Sequence, residues 1–90
     1  MYTDQYSEEI VKKLSKLKKK DPQHFSKVRK KMDAILSGPG HSYKFLTNDM
    51  KGIKRVHLGH FVLVFIVDHT NKVVSFEDYD HHDVIYRKKK

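Results

Sequence analysis

The spacing of apolar residues changes once along the chain, and this change limits the folds open to it. Up to residue 37, apolar side chains recur every three or four residues, which is the period of an amphipathic helix. Gly38, Pro39 and Gly40 interrupt this pattern. Beyond them, apolar and polar residues alternate, which is the period of a β-strand. The chain is therefore predicted to form helices first and a sheet afterwards.

Two helices are predicted in the first part of the chain. The first spans residues 6–20, with Ser7 as a suitable N-cap. Its predicted apolar face consists of Tyr6, Ile10, Leu14 and Leu17. The second spans residues 22–37, with Asp21 as its N-cap and a proline in its first turn. Because the connection is short, the helices are expected to form an antiparallel hairpin.

The second part of the chain is predicted to form at least three antiparallel strands. Alternating residues follow Ile53, a nearly continuous apolar run covers residues 60–67, and alternation returns in residues 73–79. Turns are expected at Gly59 and at residues 68–71.

Shorter pieces complete the predicted sheet region. Residues 43–46 are read as a short extended segment and residues 47–52 as a loop. One helical turn over residues 81–86, capped by Asp80, is expected to end the fold. The prediction is a single α+β domain over residues 1–90. In it, a helical hairpin (6–37) packs on a small, mainly antiparallel sheet and C-terminal turn (43–86).

Charge and composition narrow the functional classes. The 90 residues include 19 basic and 11 acidic side chains, for a net charge of +8, which favours a phosphate-rich partner such as nucleic acid. The chain has no cysteine, which excludes disulfides, zinc thiolate sites and cysteine nucleophiles. Its longest apolar run is far shorter than the roughly 20 residues of a membrane span. A cytoplasmic protein without membrane contact is therefore expected.

A first group of chemically capable residues lies on the predicted strand after Gly52. It comprises Lys51, Lys54, Arg55, His57 and His60. Arg55 and His57 share one face of the strand, whereas Lys54 points to the other. A guanidinium and an imidazole side by side on a rigid strand are suited to binding a phosphate and moving a proton.

A second group lies near the C-terminus, where residues 78–83 read DYDHHD and Tyr86 follows. His82 and Tyr86 are four residues apart, so a helical turn places them on one face. Three interpretations remain open: a polar cap, a metal site, or an acid–base site for phosphodiester cleavage. A metal is not expected, because the residues are contiguous and lack a spacing such as HxxxH. His24, His41 and His69 are expected to be structural.

Acid–base cleavage of RNA by its own 2′-hydroxyl suits these side chains. The reaction needs one group to accept a proton, one to donate a proton, and cations to stabilise the added negative charge. Histidine, tyrosine, lysine and arginine meet these needs, and no cofactor is required.

The order of these segments resembles the RelE/ParE superfamily of toxins. The similar pieces are KGIKRVHLG at residues 51–59, the apolar strand after it, and HHDVIY at residues 81–86, which is similar to the family ending HR-x-x-V-Y. The resemblance implies a toxin of a type II toxin–antitoxin pair that cleaves mRNA in the ribosome. It also implies an acidic, RelB-like antitoxin, with operator DNA bound only through that antitoxin.

The resemblance and the residue chemistry together give a set of candidate site residues. Those expected to take part in catalysis are Arg55, His57, His82 and Tyr86. Those expected to bind RNA are Lys51, Lys54, His60, His81 and Arg87. By position, Tyr86 matches the family's C-terminal tyrosine, which stacks on a base or joins proton transfer.

The chain departs from the family pattern at two positions. Many members have an arginine two or three residues after the turn glycine, where this chain has Phe61 and Val62, and His82 replaces the arginine of the family ending. Catalysis is therefore expected to depend more on imidazole, as in the histidine-rich YafQ-like branch. The alternatives are a ParE-like toxin acting on DNA gyrase, a degenerate non-catalytic member that binds RNA, and a plain basic RNA-binding domain.

Overall fold

A computed structural model describes residues 1–38, 44–45 and 52–88 of the chain. In chain order the elements are β1 (Thr3–Tyr6), α1 (Glu8–Lys20), α2 (Pro22–Ser37), β2 (Lys44–Phe45), β3 (Ile53–Leu58), β4 (Phe61–Asp68), β5 (Val73–His81) and α3 (His82–Lys88). The five strands form one sheet in the order β1-β5-β4-β3-β2. All neighbours are antiparallel except β1 and β5, which are parallel. The predicted α+β class, with helices on a mainly antiparallel sheet, is confirmed.

Helices α1 and α2 cover one face of the sheet, which we call the hairpin face. Each helix begins where a side chain caps it: Ser7 Oγ accepts the Ile10 N–H, and an Asp21 carboxylate oxygen accepts the His24 N–H. The buried residues of this face are Ile10, Val28, Met32, Ile35, Leu36, Leu63, Phe65, Val74, Phe76 and Tyr79. Their burial is the main apolar contribution to stability.

Helix α3 covers the opposite face, which we call the α3 face. Ile85 is fully buried there against Val62 and Val64 of β4, and Ile53 and Tyr86 pack at the edge of this cluster. The alternation within β4 explains the division, because Leu63 and Phe65 point to the hairpin face while their neighbours point to α3.

The predicted start of the first helix is wrong. Residues Thr3–Tyr6 form β1, and α1 begins only after Ser7. Tyr6 fits the helical spacing of α1, but its ring stacks on Phe76 with 5.6 Å between centroids. The strand forms because β5 offers it a parallel partner, with Thr3 opposite Val73.

The predicted end of the sheet is also wrong. Strand β5 continues to His81, opposite Phe61, and α3 runs over His82–Lys88 rather than starting at His81. Asp80 lies in the strand and does not cap the helix. The strand continues because residues of β4 pair with it as far as Phe61, which lies opposite His81. Beyond this pair, the His82 N–H donates to the His60 carbonyl at 2.9 Å.

The turns agree with their predicted positions. Gly59 has a φ of +62° and joins β3 to β4 through a two-residue loop, which shifts the start of β4 from His60 to Phe61. At the next turn, an Asp68 carboxylate oxygen accepts the N–H groups of Thr70 and Asn71. The two-residue strand β2 falls within the predicted extended segment 43–46. None of the helices in the described segments is long and apolar enough to cross a bilayer.

Candidate functional site

Strand β3 and helix α3 meet on the α3 face, and their side chains form the first of two polar clusters. Helix α3 is fixed there because Ile85 inserts against Val62 and Val64. Since Tyr86 follows Ile85, its ring is carried toward β3, where Arg55 and His57 point to the same face. The fold thus brings a C-terminal tyrosine to two residues of a central strand.

We call Arg55, His57 and Tyr86 the arginine–tyrosine cluster. Arg55 Nη1 lies 3.3 Å from His57 Nδ1, and the Tyr86 hydroxyl lies 3.4 Å from His57 Nε2. The Arg55 guanidinium also lies 5.7 Å from the centre of the Tyr86 ring, within range of a cation–π contact. The cluster therefore holds a permanent cation, an imidazole and a phenol in mutual contact.

The contacts of His57 indicate how its protons are arranged. Arginine can only donate hydrogen bonds, so its contact makes His57 Nδ1 the acceptor. A neutral His57 then carries its proton on Nε2, which faces the Tyr86 hydroxyl. Within the described residues, Arg55 Nε is buried without a hydrogen-bond partner. The guanidinium is therefore not saturated by its protein contacts.

The second cluster lies at the junction of β5 and α3, and we call it the histidine cluster. It consists of His60, His81, His82 and Asp83. The rings of His81 and His82 are 4.5 Å apart between centroids, and His60 lies 6.1 Å and 6.3 Å from them. Asp83 places one carboxylate oxygen 3.0 Å from His82 Nδ1 and the other 3.7 Å from His81 Nδ1.

The two clusters are neighbours. Helix α3 carries His82 and Tyr86 one turn apart, and the β3–β4 turn separates His57 from His60. His57 and His60 line a pocket of about 620 Å³. The pocket continues to α2, where His24, Lys27 and Lys31 form the other wall. One basic, imidazole-rich surface thus runs from α3 over the β3–β4 turn to α2.

The remaining predicted site residues are spread around this surface. Arg87 is exposed on α3. Lys54 lies on the opposite face of β3 from Arg55, together with Val56 of the hairpin-face core. Lys51 lies outside the described residues, as does His41.

The two other histidines predicted to be structural have hydrogen-bond partners. His24 Nε2 lies 2.7 Å from the Tyr79 hydroxyl, and His69 Nδ1 lies 2.9 Å from the Tyr2 hydroxyl. The candidate site residues chosen from the sequence leave out Lys27, Lys31 and Asp83, although Asp83 belongs to the DYDHHD group. The adjacency of Asp83 to two histidines was the available signal, whereas the lysines reach the pocket only through tertiary packing.

A buried ion group supports β5 just before the histidine cluster. Lys13 of α1 contacts a carboxylate oxygen of Asp78 at 2.7 Å and one of Asp80 at 2.9 Å, and Asp78 is only 2% exposed. Burial disfavours the charged lysine, but the hydrogen bonds to both carboxylates outweigh it, so the pKa of Lys13 is raised. Two of the three acidic residues near the site, Asp78 and Asp80, therefore share an ion pair with Lys13 of the hairpin.

Comparison with solved structures identifies the fold. The isolated RelE toxin of E. coli covers 98% of the chain and 99% of its own length, with a TM-score of 0.75 at 18% identity. A chain of the intact E. coli RelBE toxin–antitoxin complex covers 90% of this chain and 96% of its own length, with a TM-score of 0.75 at 20% identity. E. coli YafQ covers 96% of the chain and 99% of its own length, with a TM-score of 0.71 at 17% identity. The architecture is thus the RelE-like toxin fold.

Sequence comparison then gives the family. A Methanocaldococcus jannaschii protein named "Putative toxin RelE4" is 46% identical over 91 residues, covering 100% of the chain and 96% of its own length. An uncharacterized protein of Methanosarcina mazei is 45% identical over 87 residues, covering 96% of the chain and its own full length. No family-level sequence profile matches the chain. The chain belongs to the RelE-like family of toxins, as its motifs predicted.

Proposed function

We propose that this RelE-like toxin belongs to a type II toxin–antitoxin pair and blocks translation by cutting mRNA in the ribosome. The observation that carries the proposal is the contact of Arg55, His57 and Tyr86 across β3 and α3. Tyr86 lies 29 residues after His57 in sequence, yet it contacts the Arg55–His57 pair, and the three form one cationic, proton-bearing group. The site of action would be the cytoplasm, where mRNA is translated.

The proposed reaction is cleavage of RNA by its own 2′-hydroxyl. The 2′-oxygen forms a bond to phosphorus while the bond from phosphorus to the 5′-oxygen breaks, which leaves a 2′,3′-cyclic phosphate and a 5′-hydroxyl. One protein group accepts the proton of the 2′-hydroxyl and another gives a proton to the departing 5′-oxygen. No metal and no cofactor take part in this scheme.

The side chains supply each requirement of that reaction. His57 contacts Tyr86, and His82 lies one turn before Tyr86 on α3. We take the proton acceptor and the proton donor to be two of these three residues. Arg55 has an unpartnered Nε and is the proposed stabiliser of the negative charge on the phosphoryl oxygens. The ring of Tyr86 would also stack on a base.

RNA binding is proposed to use the basic residues around the two clusters. These are Lys51, Lys54, His60, His81 and Arg87, extended by Lys27 and Lys31 on the α2 wall of the pocket. Lys54 faces the hairpin side, so its role would be contact with a nucleic-acid segment beyond the reacting phosphate. Because contacts to phosphates release counterions, we expect RNA affinity to fall steeply with salt.

The proposed partner is an acidic, RelB-like antitoxin, and operator DNA would be bound only through it. The structural relatives include toxin–antitoxin complexes, RelBE of E. coli and RelBE2 of Mycobacterium tuberculosis. A net charge of +8 favours a partner of opposite charge. Affinity for the antitoxin should therefore fall as salt rises, and an affinity that is independent of salt would contradict charge steering.

The test is ribosome-dependent cleavage of a translated mRNA by the wild type and three variants. Arg55→Ala and His82→Ala should each reduce the cleavage rate by roughly 10²–10⁴-fold. Tyr86→Phe separates proton transfer, which needs the hydroxyl, from stacking, which needs only the ring. His69→Ala removes an imidazole from the β4–β5 turn and serves as the matched control.

The outcomes distinguish the proposed function from its alternatives. Induced wild type should arrest growth and leave cut mRNA ends. If wild type neither arrests growth nor cuts mRNA, the nuclease proposal is wrong. Growth arrest with altered DNA supercoiling and intact mRNA would instead indicate a ParE-like action on gyrase.

A further inference from the structure

We propose that the histidine cluster binds a divalent transition-metal cation such as Zn²⁺, with His60, His81, His82 and Asp83 as ligands. We further infer that the bound cation inhibits cleavage, because it occupies His82. This second part rests on the proposed function, whereas the binding site itself does not.

The first observation is the close approach of three potential ligand atoms. One nitrogen each of His81 and His82 and one carboxylate oxygen of Asp83 all lie within 4.8 Å of one another. Two ligand atoms on one tetrahedral zinc ion are about 3.4 Å apart, given bonds of about 2.0–2.1 Å. All three side chains are at least 40% exposed, so small rotations can close the remaining gap.

The second observation is the position of His60 beside these residues. Two imidazoles bound to one tetrahedral ion have ring centres about 5 Å apart. The three observed separations, 4.5 Å, 6.1 Å and 6.3 Å, lie on both sides of that value. The backbone bond from the His82 N–H to the His60 carbonyl, at 2.9 Å, holds the β3–β4 turn against the start of α3. His60 is thus placed as a fourth ligand by the fold.

The donor set selects the class of cation. Three imidazole nitrogens and one carboxylate oxygen suit Zn²⁺, Co²⁺, Ni²⁺ and Cu²⁺, whereas Mg²⁺ and Ca²⁺ prefer sets made only of oxygen. The Asp83 N–H donates to His81 Nδ1 at 3.3 Å, a long hydrogen bond that a cation bound at this nitrogen would replace. Asp83 also supplies a negative charge that is not engaged by Lys13, unlike Asp78 and Asp80.

The position of the site explains why contiguous ligands are sufficient here. Contiguous histidines argue against a metal site on one helix or strand, since neighbouring side chains diverge there. His81 ends β5 and His82 begins α3, so the backbone changes direction between them. The change of direction brings both rings to one side, where His60 arrives from a separate turn. This runs against the expectation from sequence that no metal binds.

The test is a titration of the untagged, full-length chain with Co²⁺, followed by visible absorption, and with Zn²⁺, followed by calorimetry. We expect one equivalent to bind, with the absorption of a four-coordinate Co²⁺ site. Asp83→Asn should weaken Zn²⁺ binding by roughly tenfold or more, since loss of even an outer-shell partner costs about 10–100-fold. His60→Gln should weaken binding as well. Asp33→Asn, an exposed acid on α2, is the matched control.

The second readout is mRNA cleavage with and without one equivalent of Zn²⁺. Wild type should be inhibited, whereas Asp83→Asn should need roughly tenfold more Zn²⁺ to lose the same fraction of its own metal-free rate. Absence of saturable binding, or equal affinity in wild type, Asp83→Asn and His60→Gln, would overturn the site. Saturable binding without inhibition would overturn the regulatory part alone. Failure of the nuclease proposal would leave the titration result unaffected.

Discussion

The two faces of the sheet are covered to very different extents. On the hairpin face, helices of 13 and 16 residues bury a cluster of ten core residues from helices and strands. On the α3 face, a helix of seven residues buries a cluster of three, counted over the residues that the structure describes. Apolar burial on folding is thus concentrated on one side of the molecule.

The polar groups of the two faces differ in the same way. On the hairpin side, Lys13 is held by two carboxylates and Tyr79 contacts His24. On the α3 face, His81 and His82 are about 40% exposed, and Arg55 has an unpartnered nitrogen. The imidazoles of His81 and His82 are thus kept near solvent, where partial pairing costs little, whereas the buried Arg55 Nε carries the cost of an unpaired donor.

The uneven covering of the two faces lets a chain of 90 residues combine a stable fold with a reactive surface. A small domain has one main core, so every buried position given to chemistry reduces its stability. Here the reactive groups lie on the thinly covered face, and the strands that carry them are fixed from the other side. We therefore expect stability and activity to respond to different substitutions.

The largest expected effect is the loss of stability caused by Phe65→Ala. Phe65 is fully buried on the hairpin face, so the cavity should lower the free energy of unfolding by about 3–5 kcal/mol. His82→Ala, on the half-exposed α3 face, should change it by less than about 1 kcal/mol while reducing cleavage. Urea denaturation followed by circular dichroism measures both. Comparable destabilisation by the two variants would mean that the α3 face contributes to stability as much as the hairpin face does.

A smaller effect is expected at the ion group that joins α1 to β5. Lys13→Met leaves Asp78 buried without its cation, so we expect a loss of about 1–3 kcal/mol in the free energy of unfolding. Lys12→Met changes an exposed neighbour on the same helix and should have almost no effect.

A double variant tests the same ion group in a second way. Lys13→Met combined with Asp78→Asn removes the buried charge together with its partner, so its loss should be smaller than the sum of the two single losses. If Lys13→Met and Lys12→Met are equally stable in urea, the ion group does not stabilise the hairpin side.

Local patterns predicted most of the fold, and they failed where a partner distant in sequence decides the structure. The helical spacing from Ile10 onward and the alternation within β3 are local, so they were readable from the sequence. Strand β1 is short and polar, and it forms only because Thr3 lies opposite Val73. The extension of β5 to His81 depends in the same way on pairing with Phe61.

The candidate site shows the same division. Alternation along β3 placed Arg55 and His57 on one face, and helical spacing placed His82 and Tyr86 one turn apart. That Tyr86 touches His57, whereas His82 lies with His60, follows from how α3 packs on β4 and from the β3–β4 turn. The residue spacing within β3 or within α3 alone does not predict these contacts.

The smallest expected effect concerns alkaline pH, and it probes Tyr79 on the densely packed hairpin face. Burial raises the pKa of Tyr79 from 10.0 to about 12. The folded chain therefore holds this proton more tightly than the unfolded chain, so the free energy of unfolding is unaffected below pH 10 and falls as pH rises toward 12. Between pH 9 and pH 11 the loss from this group should be roughly 1 kcal/mol.

Tyr79→Phe tests this pH dependence directly. The variant lacks the ionisable hydroxyl, so its stability should fall less between pH 9 and pH 11, although at neutral pH it loses the contact with His24 at a cost of about 1 kcal/mol. Lys13 and Tyr6, whose pKa values are also raised, titrate in both proteins, so the difference between the two slopes isolates Tyr79. Urea denaturation at pH 8, 9, 10 and 11 gives both slopes. Parallel slopes would show that Tyr79 ionises as readily in the folded chain as in the unfolded chain, and that the hairpin face is more open to water than its packing indicates.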